Sequence, residues 1–384
     1  MKHPAAAAAL ALVLLAATTS LDGPLGPQPA NIGQALDSGA AACTASDYDR
    51  RDQDRDGIGD ACDPDRDGDG LDNDAEEPLG ADPQDPDTDD DNALDGADNC
   101  VRSPNPDQAD ADADGRGDVC DGPRGSRATW LWHCGSNLQP CMPNATDVVR
   151  FAVEKDLDAV FLSFPPKRID QDDWYRAVID GLQANGIHVY ALSGRSEWFD
   201  DFQNVVDWYA YLLEVTTRAD LGFEGLHIDL EPWTRDDWAG HEDAAAHEYL
   251  DILRYLSARA HERGWTLEVD IPFWLDQKPE IHGGLLHEEV LGIADAVTVA
   301  TFRDTADEIT RLAEQEMQAG ARLEKPVRLA VSVKVHEFEY VTFMDDGEAV
   351  MERNLRWVDE DHTAAAAYAG VGIHPYDAYT TMAP

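Results

Sequence analysis

The feature of this sequence that most restricts its fold is an alternation of two kinds of segment across residues 127–384. Short runs rich in β-branched and aromatic residues alternate with longer amphipathic runs. Eight strands that alternate with helices over this length predict an α/β fold of the (β/α)8 TIM-barrel type. The alternative is an open doubly wound sheet, which usually has a glycine-rich turn after its first strand. No such turn follows the first run, because residues 133–137 are His-Cys-Gly-Ser-Asn.

The period of the apolar residues locates the individual elements. Little chain follows residue 376, so the last helix is expected to be short or absent. Strands are predicted at residues 129–134, 159–164, 188–193, 225–231, 266–272, 296–302, 327–334 and 370–376, and helices at 174–184, 202–217, 244–263 and 307–319.

The predicted fourth strand carries the strongest functional signal. Apolar residues at 226, 228 and 230 alternate with His227, Asp229 and Glu231, so one face of the strand is apolar and the other is ionisable. A buried strand must pair or use such groups, because burying an unpaired charge is costly. The Cα atoms of Asp229 and Glu231 are expected to lie roughly 6.5 Å apart. Repulsion between the two carboxylates would raise the pKa of one of them and provide a general acid.

The ends of the other strands extend this candidate site, because barrel active sites form at the carboxyl ends of the strands. Polar residues collect there, and tryptophans at 132, 198, 233 and 274 offer flat rings that can stack on a sugar. The predicted catalytic residues are Glu231, Asp229 and Asp270, and the predicted substrate-binding residues are His227, Trp233, Trp274, Trp132, His133, Arg303, Lys334, His374 and Tyr376.

Residues 43–122 have a different composition, in which aspartate dominates and large apolar residues almost vanish. Such a segment cannot build an ordinary core. Its acids nevertheless recur in four twelve-residue frames, at positions 1, 3, 5, 9 and 12, with a turn residue at position 6. A disordered acidic tail would not keep this phase. The frames are Asp52, Asp54, Asp56, Asp60 and Asp63 with Gly57; Asp65, Asp67, Asp69, Asn73 and Glu76 with Gly70; Asp87, Asp89, Asp91, Asp95 and Asp98 with Asn92; and Asp110, Asp112, Asp114, Asp118 and Asp121 with Gly115.

The spacing of these frames predicts calcium binding. Alternate acids place oxygens around one point, and glycine permits the sharp turn that wraps a hard cation. The six cysteines form three local couples, and the first two occupy equivalent places in the frames, which favours disulfides over a zinc site without any C-x-x-C pair. The favoured couples are Cys43 with Cys62, Cys100 with Cys120, and Cys134 with Cys141.

Charge and the N-terminal residues indicate the compartment. The formal net charge of −48 argues against nucleic acid and anionic membranes as partners and favours divalent cations. Residues 1–20 have a charged start, a short apolar core and a small-residue exit, which is typical of a secretory signal peptide. Residues 21–42 are rich in glycine, proline and alanine and are interpreted as a flexible linker. The mature chain is therefore expected to be secreted or extracellular, with no membrane span.

Two resemblances to known families extend these predictions. Residues 43–122, with repeated motifs such as Gly-Asp-Val-Cys-Asp at 117–121, resemble the thrombospondin type 3 repeat. That resemblance implies an irregular, calcium-wrapped spacer or adhesion element. Residues 225–231 and 295–302 resemble the fourth and sixth strands of family 18 glycoside hydrolases, the chitinase type. This implies that Glu231 is the general acid and that Asp229 orients an acetamido group. The chain departs from that family at Glu224 and His227, which replace aspartates, and at Phe302, which replaces a tyrosine.

The sequence therefore predicts a secreted glycoside hydrolase-like enzyme that cleaves a polysaccharide or amino-sugar bond by carboxylate acid/base catalysis. Calcium is expected to be structural and confined to the repeats, and the chemistry is expected to need no cofactor. The expected partners are a poly- or oligosaccharide substrate, calcium ions, and cell-surface or matrix material. One alternative is a metal-dependent TIM-barrel hydrolase with His227, Asp229, Asp270 and His374 as ligands. Another is a non-catalytic carbohydrate-binding or adhesion protein.

Overall fold

The computed structural model describes residues 51–111, 113, 115–120, 124–132, 142–165, 171–277, 285–362 and 364–383. The predicted signal peptide, the predicted linker, and the site candidates Cys43, Asp112, Asp114, Asp121, His133, Cys134 and Cys141 lie outside these residues. The chain divides between Gln108 and Ala109 into two compact units. No helix among the described residues combines the length and apolar character needed to cross a membrane.

Eight parallel strands form a closed barrel in which each strand pairs with the next and β8 pairs with β1. The barrel confirms the predicted (β/α)8 fold and excludes the open doubly wound sheet. The strands are β1 Arg127–Leu131, β2 Ala159–Ser163, β3 His188–Ser193, β4 Gly225–Ile228, β5 Thr266–Pro272, β6 Ala296–Ala300, β7 Val327–Ser332 and β8 Tyr368–His374.

The helices are short in the acidic segment and longer around the barrel. They are α1 Asn73–Glu76, α2 Ala145–Glu154, α3 Asp172–Gln183, α4 Glu197–Asp200, α5 Gln203–Ala219, α6 Glu242–His261, α7 Leu286–Ile293, α8 Ala306–Leu312, α9 Glu314–Leu323, α10 Glu348–Asp361 and α11 Tyr376–Tyr379. Short 3-10 turns follow at Glu77–Leu79, Asp95–Ala97, Pro232–Thr234, Phe273–Gln277 and Glu339–Val341.

Several element ends differ from the sequence predictions, and each difference has a local cause. β4 ends at Ile228 rather than at residue 231, because the chain turns into the 3-10 turn that begins at Pro232. The helix predicted at 307–319 is two helices, broken at Ala313, where φ is −99° and ψ is 4°. The predicted eighth strand includes Tyr376, which instead starts α11. This final helix has 4 residues, in agreement with the short element expected.

The barrel has one hydrophobic cluster outside its strands and another inside. The outer cluster fills the layer between strands and helices. The inner cluster includes Trp130 and Phe161, both at most 2% exposed. A Cβ atom at Gly372 of β8 would lie 2.5 Å from the Trp130 ring, so a glycine there leaves space for the indole. The interior therefore holds a large aromatic side chain directly below the carboxyl ends of the strands, which we call the barrel mouth.

The acidic segment has little apolar interior, in agreement with its composition. Among its described residues, the buried hydrophobic ones are Ala81, Cys100, Val101 and Cys120. Most of its other buried side chains are carboxylates. Cys100 and Cys120 form the predicted disulfide. Cys62 is also disulfide-bonded, and its predicted partner Cys43 lies outside the described residues.

Candidate active site and cation-binding loops

Three carboxyl groups meet where β4 and β5 end at the barrel mouth. Ile228 of β4 pairs with Val269 of β5, so the next residues along the two strands, Asp229 and Asp270, are neighbours. The Asp229 N–H still donates to the carbonyl oxygen of Ser193 at 3.0 Å. Electrostatic coupling joins both residues to Glu231. The structure therefore brings together the three residues predicted to be catalytic.

Burial and mutual repulsion raise the pKa values of two members of this group. Burial raises the pKa of Asp229 well above its usual range, and the charges of Asp270 and Glu231 add to this effect. Burial also raises the pKa of Glu231 to about 7, with a further contribution from Asp270, while a hydrogen bond from the Trp233 side chain acts in the opposite direction. A carboxyl group with a pKa near neutrality suits general acid catalysis.

Asp270 is held by two donors from the barrel interior. The Trp130 Nε1–H donates to its Oδ2 at 2.9 Å, and His227 Nε2 lies 2.8 Å from its Oδ1. His227 is fully buried and stacks on the ring of Phe161, with centroids 3.5 Å apart. Each oxygen of Asp270 therefore has its own partner, and that partner is itself fixed by packing.

A buried ion pair lies beneath His227. Arg328 Nε donates to Glu268 Oε1 at 3.1 Å, and the Thr298 hydroxyl donates to the same oxygen at 2.6 Å. Burial alone would raise the pKa of Glu268, but the charges of Arg328 and His227 and these hydrogen bonds hold it below the usual value. Glu268 therefore remains a carboxylate, with its Oε1 3.9 Å from His227 Nδ1.

His374 lies on the opposite side of Trp130. The Trp132 Nε1–H donates to His374 Nε2 at 3.1 Å, and the ring stacks on Phe302. Burial, assisted by the charge of Lys334, lowers the pKa of His374 to about 3. His374 is therefore neutral, and its Nε2 is already an acceptor. Lys334 itself is exposed.

The remaining predicted binding residues fall in different places. Trp233 and Trp274 make an edge-to-face pair with centroids 5.5 Å apart. Arg303 lies between the rings of Phe273 and Tyr340, 5.4 Å from each centroid. These four aromatic side chains and one cation line the loops that follow β4 to β7.

Two aromatic residues expected at the mouth lie elsewhere. Tyr376 is 9% exposed and packs on Phe151 of α2. It is the first residue of a helix, so its side chain does not follow the alternation of side chains along β8. Trp198 is 2% exposed and packs against Trp208. Both side chains belong to the hydrophobic layer outside the strands.

Two residues near the carboxyl groups were missing from the sequence prediction. Trp130 stands two positions before Trp132, so the period of two in the first strand already placed both on one face. Tyr249 comes from α6, is fully buried, and has a hydroxyl without a hydrogen-bond partner. Burial and the charges of Asp270, Asp229 and Glu231 raise its pKa, which places it beside the carboxyl groups. No strand pattern could have identified a residue from a helix.

The four acidic frames share one set of backbone hydrogen bonds. In each frame, the N–H at position 9 donates to the carbonyl oxygen of the residue before position 1, at 2.7–3.1 Å. The N–H at position 2 donates to the side chain at position 9, at 2.8–3.2 Å. Position 6 has a positive φ in every frame, including 79° at Asn92, which replaces the glycine. The described parts of the four frames therefore form the same kind of loop.

The carboxylates of these loops lie close together, and several of their buried oxygens have no hydrogen-bond donor. Oxygens that are buried and lack a hydrogen-bond partner occur at positions 3 and 12, namely in Asp67 and Asp89 and in Asp63, Glu76 and Asp98. Ligand atoms lie within 4.8 Å of one another in four groups: Asp52, Asp54 and Asp56; Asp65, Asp67 and Asp69; Asp87, Asp89 and Asp91; and Asp69, Glu76 and Asp95. Buried carboxylates without donors fit a hard cation such as calcium. Asp60, Asp110 and Asp118 use their side chains in the loop hydrogen bonds.

Comparisons with known proteins give one family match and several similar solved structures. Residues 51–76 match the family model of the thrombospondin type 3 repeat. A search of curated proteins finds no match. Among solved structures, the chain is similar to the Bacillus cereus spore cortex-lytic enzyme SleL, with 10% identity, a TM-score of 0.38, and coverage of 57% of this chain and 52% of that one.

The similar structures also include chitinases. Ostrinia furnacalis Group IV chitinase in complex with allosamidin has 12% identity, a TM-score of 0.40, and coverage of 54% of this chain and 66% of that one. A class V chitinase from Pseudomonas fluorescens has 14% identity, a TM-score of 0.38, and coverage of 54% and 68%. The match spans about half the length of SleL. Likenesses at this level carry no argument about substrate. The chain therefore contains a thrombospondin type 3 repeat at residues 51–76 and, later in the sequence, a (β/α)8 barrel.

Proposed function

We propose that the chain is an extracellular glycoside hydrolase, with a barrel domain at residues 127–384 and a calcium-binding spacer at residues 43–122. The observation that carries the enzymatic part is the carboxyl group of Glu231. Its pKa of about 7 lets it hold a proton near neutral pH at the barrel mouth, and two further carboxyl groups lie beside it.

The chemistry follows from the requirements of glycosidic bond cleavage. The leaving oxygen needs a proton, and the sugar ring develops positive charge in the transition state. Glu231 is the proton donor in this proposal, and a carboxylate beside it stabilises the positive charge. The bond between the anomeric carbon and the leaving oxygen breaks, a water oxygen bonds to that carbon, and the proton that the water loses restores the acid. The aromatic side chains Trp132, Trp233 and Trp274 provide flat surfaces for the sugar rings.

Charge and the residue at position 302 narrow the substrate. The acidic chain favours a neutral or cationic polysaccharide, such as an amino sugar polymer, over an anionic one. Phe302 stacks on His374 and has no hydroxyl group to donate to an acetamido oxygen. Recognition of an acetamido group would therefore rest on Asp229, because burial raises its pKa and favours the protonated carboxyl group, which can donate a hydrogen bond.

The acidic frames are proposed to bind calcium through the carboxylates at positions 1, 3, 5 and 12. Calcium would supply the positive charge that the buried oxygens of Asp67, Glu76 and Asp89 lack. Its role is structural, since a segment with so few buried apolar residues needs another source of order. Such repeats favour an extracellular location, with contact to cell-surface or matrix material.

A substrate screen with matched variants tests the enzymatic proposal. The full chain, with calcium present, is incubated with soluble chitosan, chitin oligomers, cellulose and xylan, and reducing ends are counted. Wild-type activity should fall as the pH rises through about 7, because Glu231 loses its proton there. Glu231→Gln should lose about 100-fold or more of the activity while it still binds the substrate. Glu337→Gln, on an exposed loop, is the control and should keep full activity.

The other outcomes of the screen have defined meanings. Binding of a polysaccharide without release of reducing ends would support the non-catalytic alternative. Equal activity of wild type and Glu231→Gln would refute the assignment of the general acid.

Among the residues that the structure describes, metal-ligand atoms converge in groups of three or more only in the acidic frames, so a metal-dependent hydrolase is not proposed.

A further inference from the structure

The barrel mouth holds three carboxyl groups whose charges interact, and the hydrogen bonds distinguish one of them. Both oxygens of Asp270 have a nitrogen partner from the barrel interior, Trp130 Nε1 at 2.9 Å and His227 Nε2 at 2.8 Å. Glu231 has only the Trp233 side chain, and Asp229 has mainly burial and like charges around it. Donors that point at both oxygens favour the ionised form of a carboxyl group.

The surroundings of His227 hold its ring where Nε2 can donate a hydrogen bond to Asp270. Its ring is fixed by stacking on Phe161, and it lies between two carboxylates, Asp270 at Nε2 and Glu268 at Nδ1. The Nδ1–Oε1 distance of 3.9 Å is too long for a hydrogen bond but short enough for electrostatic attraction. Glu268 is in turn held by Arg328 and Thr298. A continuous line of buried polar contacts thus runs from Arg328 to Asp270.

We propose that His227 and Trp130 are positioning residues that hold Asp270 as the single permanent anion of the barrel mouth, and that Asp270 is the carboxylate that works with the acid Glu231. This assignment rests on the proposed function, and it names the second member of the catalytic pair. Asp229, although it belongs to the same strand as Glu231, then serves as a proton-bearing neighbour.

The assignment differs from the expectation based on the fourth strand alone. That expectation paired Glu231 with Asp229, because they lie two residues apart on one strand. In the proposed arrangement the negative charge comes instead from Asp270 of β5, and its two partners are His227 and Trp130. A histidine at this position can donate to a carboxylate, whereas an aspartate there would add a fourth carboxyl group.

Five charged or titratable groups lie around Asp270 among the residues that the structure describes. The charged or titratable groups are His227 from β4, Asp229 and Glu231 beyond β4, Tyr249 from α6, and Glu268 from β5. Removal of the Asp270 charge should ease deprotonation of Glu231, since it removes a like charge that raises the Glu231 pKa. The Glu231 titration midpoint should therefore fall by about one pH unit.

The test is a titration of Glu231 that needs no substrate. Infrared spectra of the full chain with saturating calcium are recorded from pH 5 to 9, and the C=O band of protonated carboxyl groups is followed. Subtraction of the Glu231→Gln spectra removes the carboxyl groups that do not interact with this residue and leaves Glu231 together with any change at its neighbour Asp229. Other carboxyl groups with raised pKa values, such as Glu316 at about 8, cancel in the difference. The wild-type midpoint is expected near pH 7.

Four variants separate positioning from simple structural support. Asp270→Asn should lower the midpoint by about one unit. His227→Leu and Trp130→Phe each remove one hydrogen-bond donor to Asp270. Each variant should also lower the Glu231 titration midpoint. His227→Gln keeps an N–H near the position of Nε2 and should restore the wild-type midpoint. Trp130→Phe keeps an aromatic ring in the core and serves if His227→Leu does not fold.

Three other results would each contradict one part of the proposals. An unchanged midpoint in Asp270→Asn would show that Asp270 is not the anion of the site. Unchanged midpoints in His227→Leu and Trp130→Phe, together with lower melting temperatures, would reduce both residues to structural support. If the midpoints shift as expected but no polysaccharide is cleaved, the assignment of the anion stands and the proposed glycosidase function fails.

Discussion

Gly194, directly after β3, lies against the backbone of Asp229 and so controls the position of the proposed catalytic carboxyl groups. A Cβ atom at this residue would lie 1.6 Å from the carbonyl oxygen of Asp229 and 2.1 Å from its carbonyl carbon. Carbon and oxygen atoms that are not bonded normally approach to about 3.3 Å. In Gly194→Ala the backbone at Asp229 must therefore move by well over 1 Å. Both atoms in the clash belong to backbone near the barrel wall, so no side-chain rotation can relieve it.

The expected consequence is a large loss of activity with a moderate loss of stability. A displacement of about 1 Å in a catalytic group can cost about 100-fold in rate, and Asp229 and Glu231 would both move. Overpacking of this kind typically destabilises a fold by about 1–3 kcal/mol. Urea unfolding, followed by tryptophan fluorescence, and the rate of polysaccharide cleavage measure the two effects.

Gly292→Ala is the matched control for the stability and activity of Gly194→Ala. Gly292 lies in α7, and a Cβ atom there would meet nothing within 4 Å. Gly292→Ala should therefore stabilise the chain slightly, by about 0.5–1 kcal/mol, because alanine favours the helix. If Gly194→Ala matches Gly292→Ala in both stability and rate, the argument that Gly194 positions the end of β4 is wrong.

Two further predictions concern buried charge. Arg127 and Asp359 form a two-bond ion pair in the barrel wall, and Asp359 also accepts from the Tyr368 hydroxyl. Arg127→Met should destabilise the barrel by about 3–5 kcal/mol in urea unfolding, and a loss under 1 kcal/mol would contradict this. In the acidic segment, burial and like charges raise the pKa of Asp67 to about 6 and of Glu76 to about 7. With a chelator, the folded segment binds more protons than the unfolded one, so proteolysis of residues 51–120 should increase from pH 5 to pH 8. Saturating calcium should abolish this dependence, and resistance to proteolysis at pH 8 with chelator would contradict calcium-dependent order.

The sequence allowed the barrel and the acidic frames to be predicted because both rest on repetition. Eight alternating segments left few folds to consider, and two strands, His188–Ser193 and Thr266–Pro272, have the predicted bounds. The phase of the aspartates predicted four similar loops. Even the exception at Asn92 has the positive φ of the glycine that it replaces.

Contacts between distant elements could not be predicted in the same way. The period of two placed Glu268 and Asp270 on one face, but Arg328, from β7, determines that Glu268 stays ionised. Tyr249 reaches the carboxyl groups from a helix whose pattern indicates only burial. The alternation along the strand also predicted the wrong direction for the Tyr376 side chain, because the strand ends before this residue and a helix begins at it.

Buried carboxylates in the two parts of the chain are satisfied by different means. In the barrel, Asp270, Glu268 and Asp359 each accept at least two hydrogen bonds from protein donors or a buried histidine. Asp229 and Glu231 instead have raised pKa values, because burial and like charges favour their protonated forms. In the acidic frames, the oxygens of Asp67 and Glu76 have no protein donor. Burial raises the pKa of Asp67 to about 6 and of Glu76 to about 7, so above these pH values protonation no longer satisfies the oxygens and a cation must supply the charge. The barrel should therefore keep its fold when calcium is removed, and the acidic segment should not.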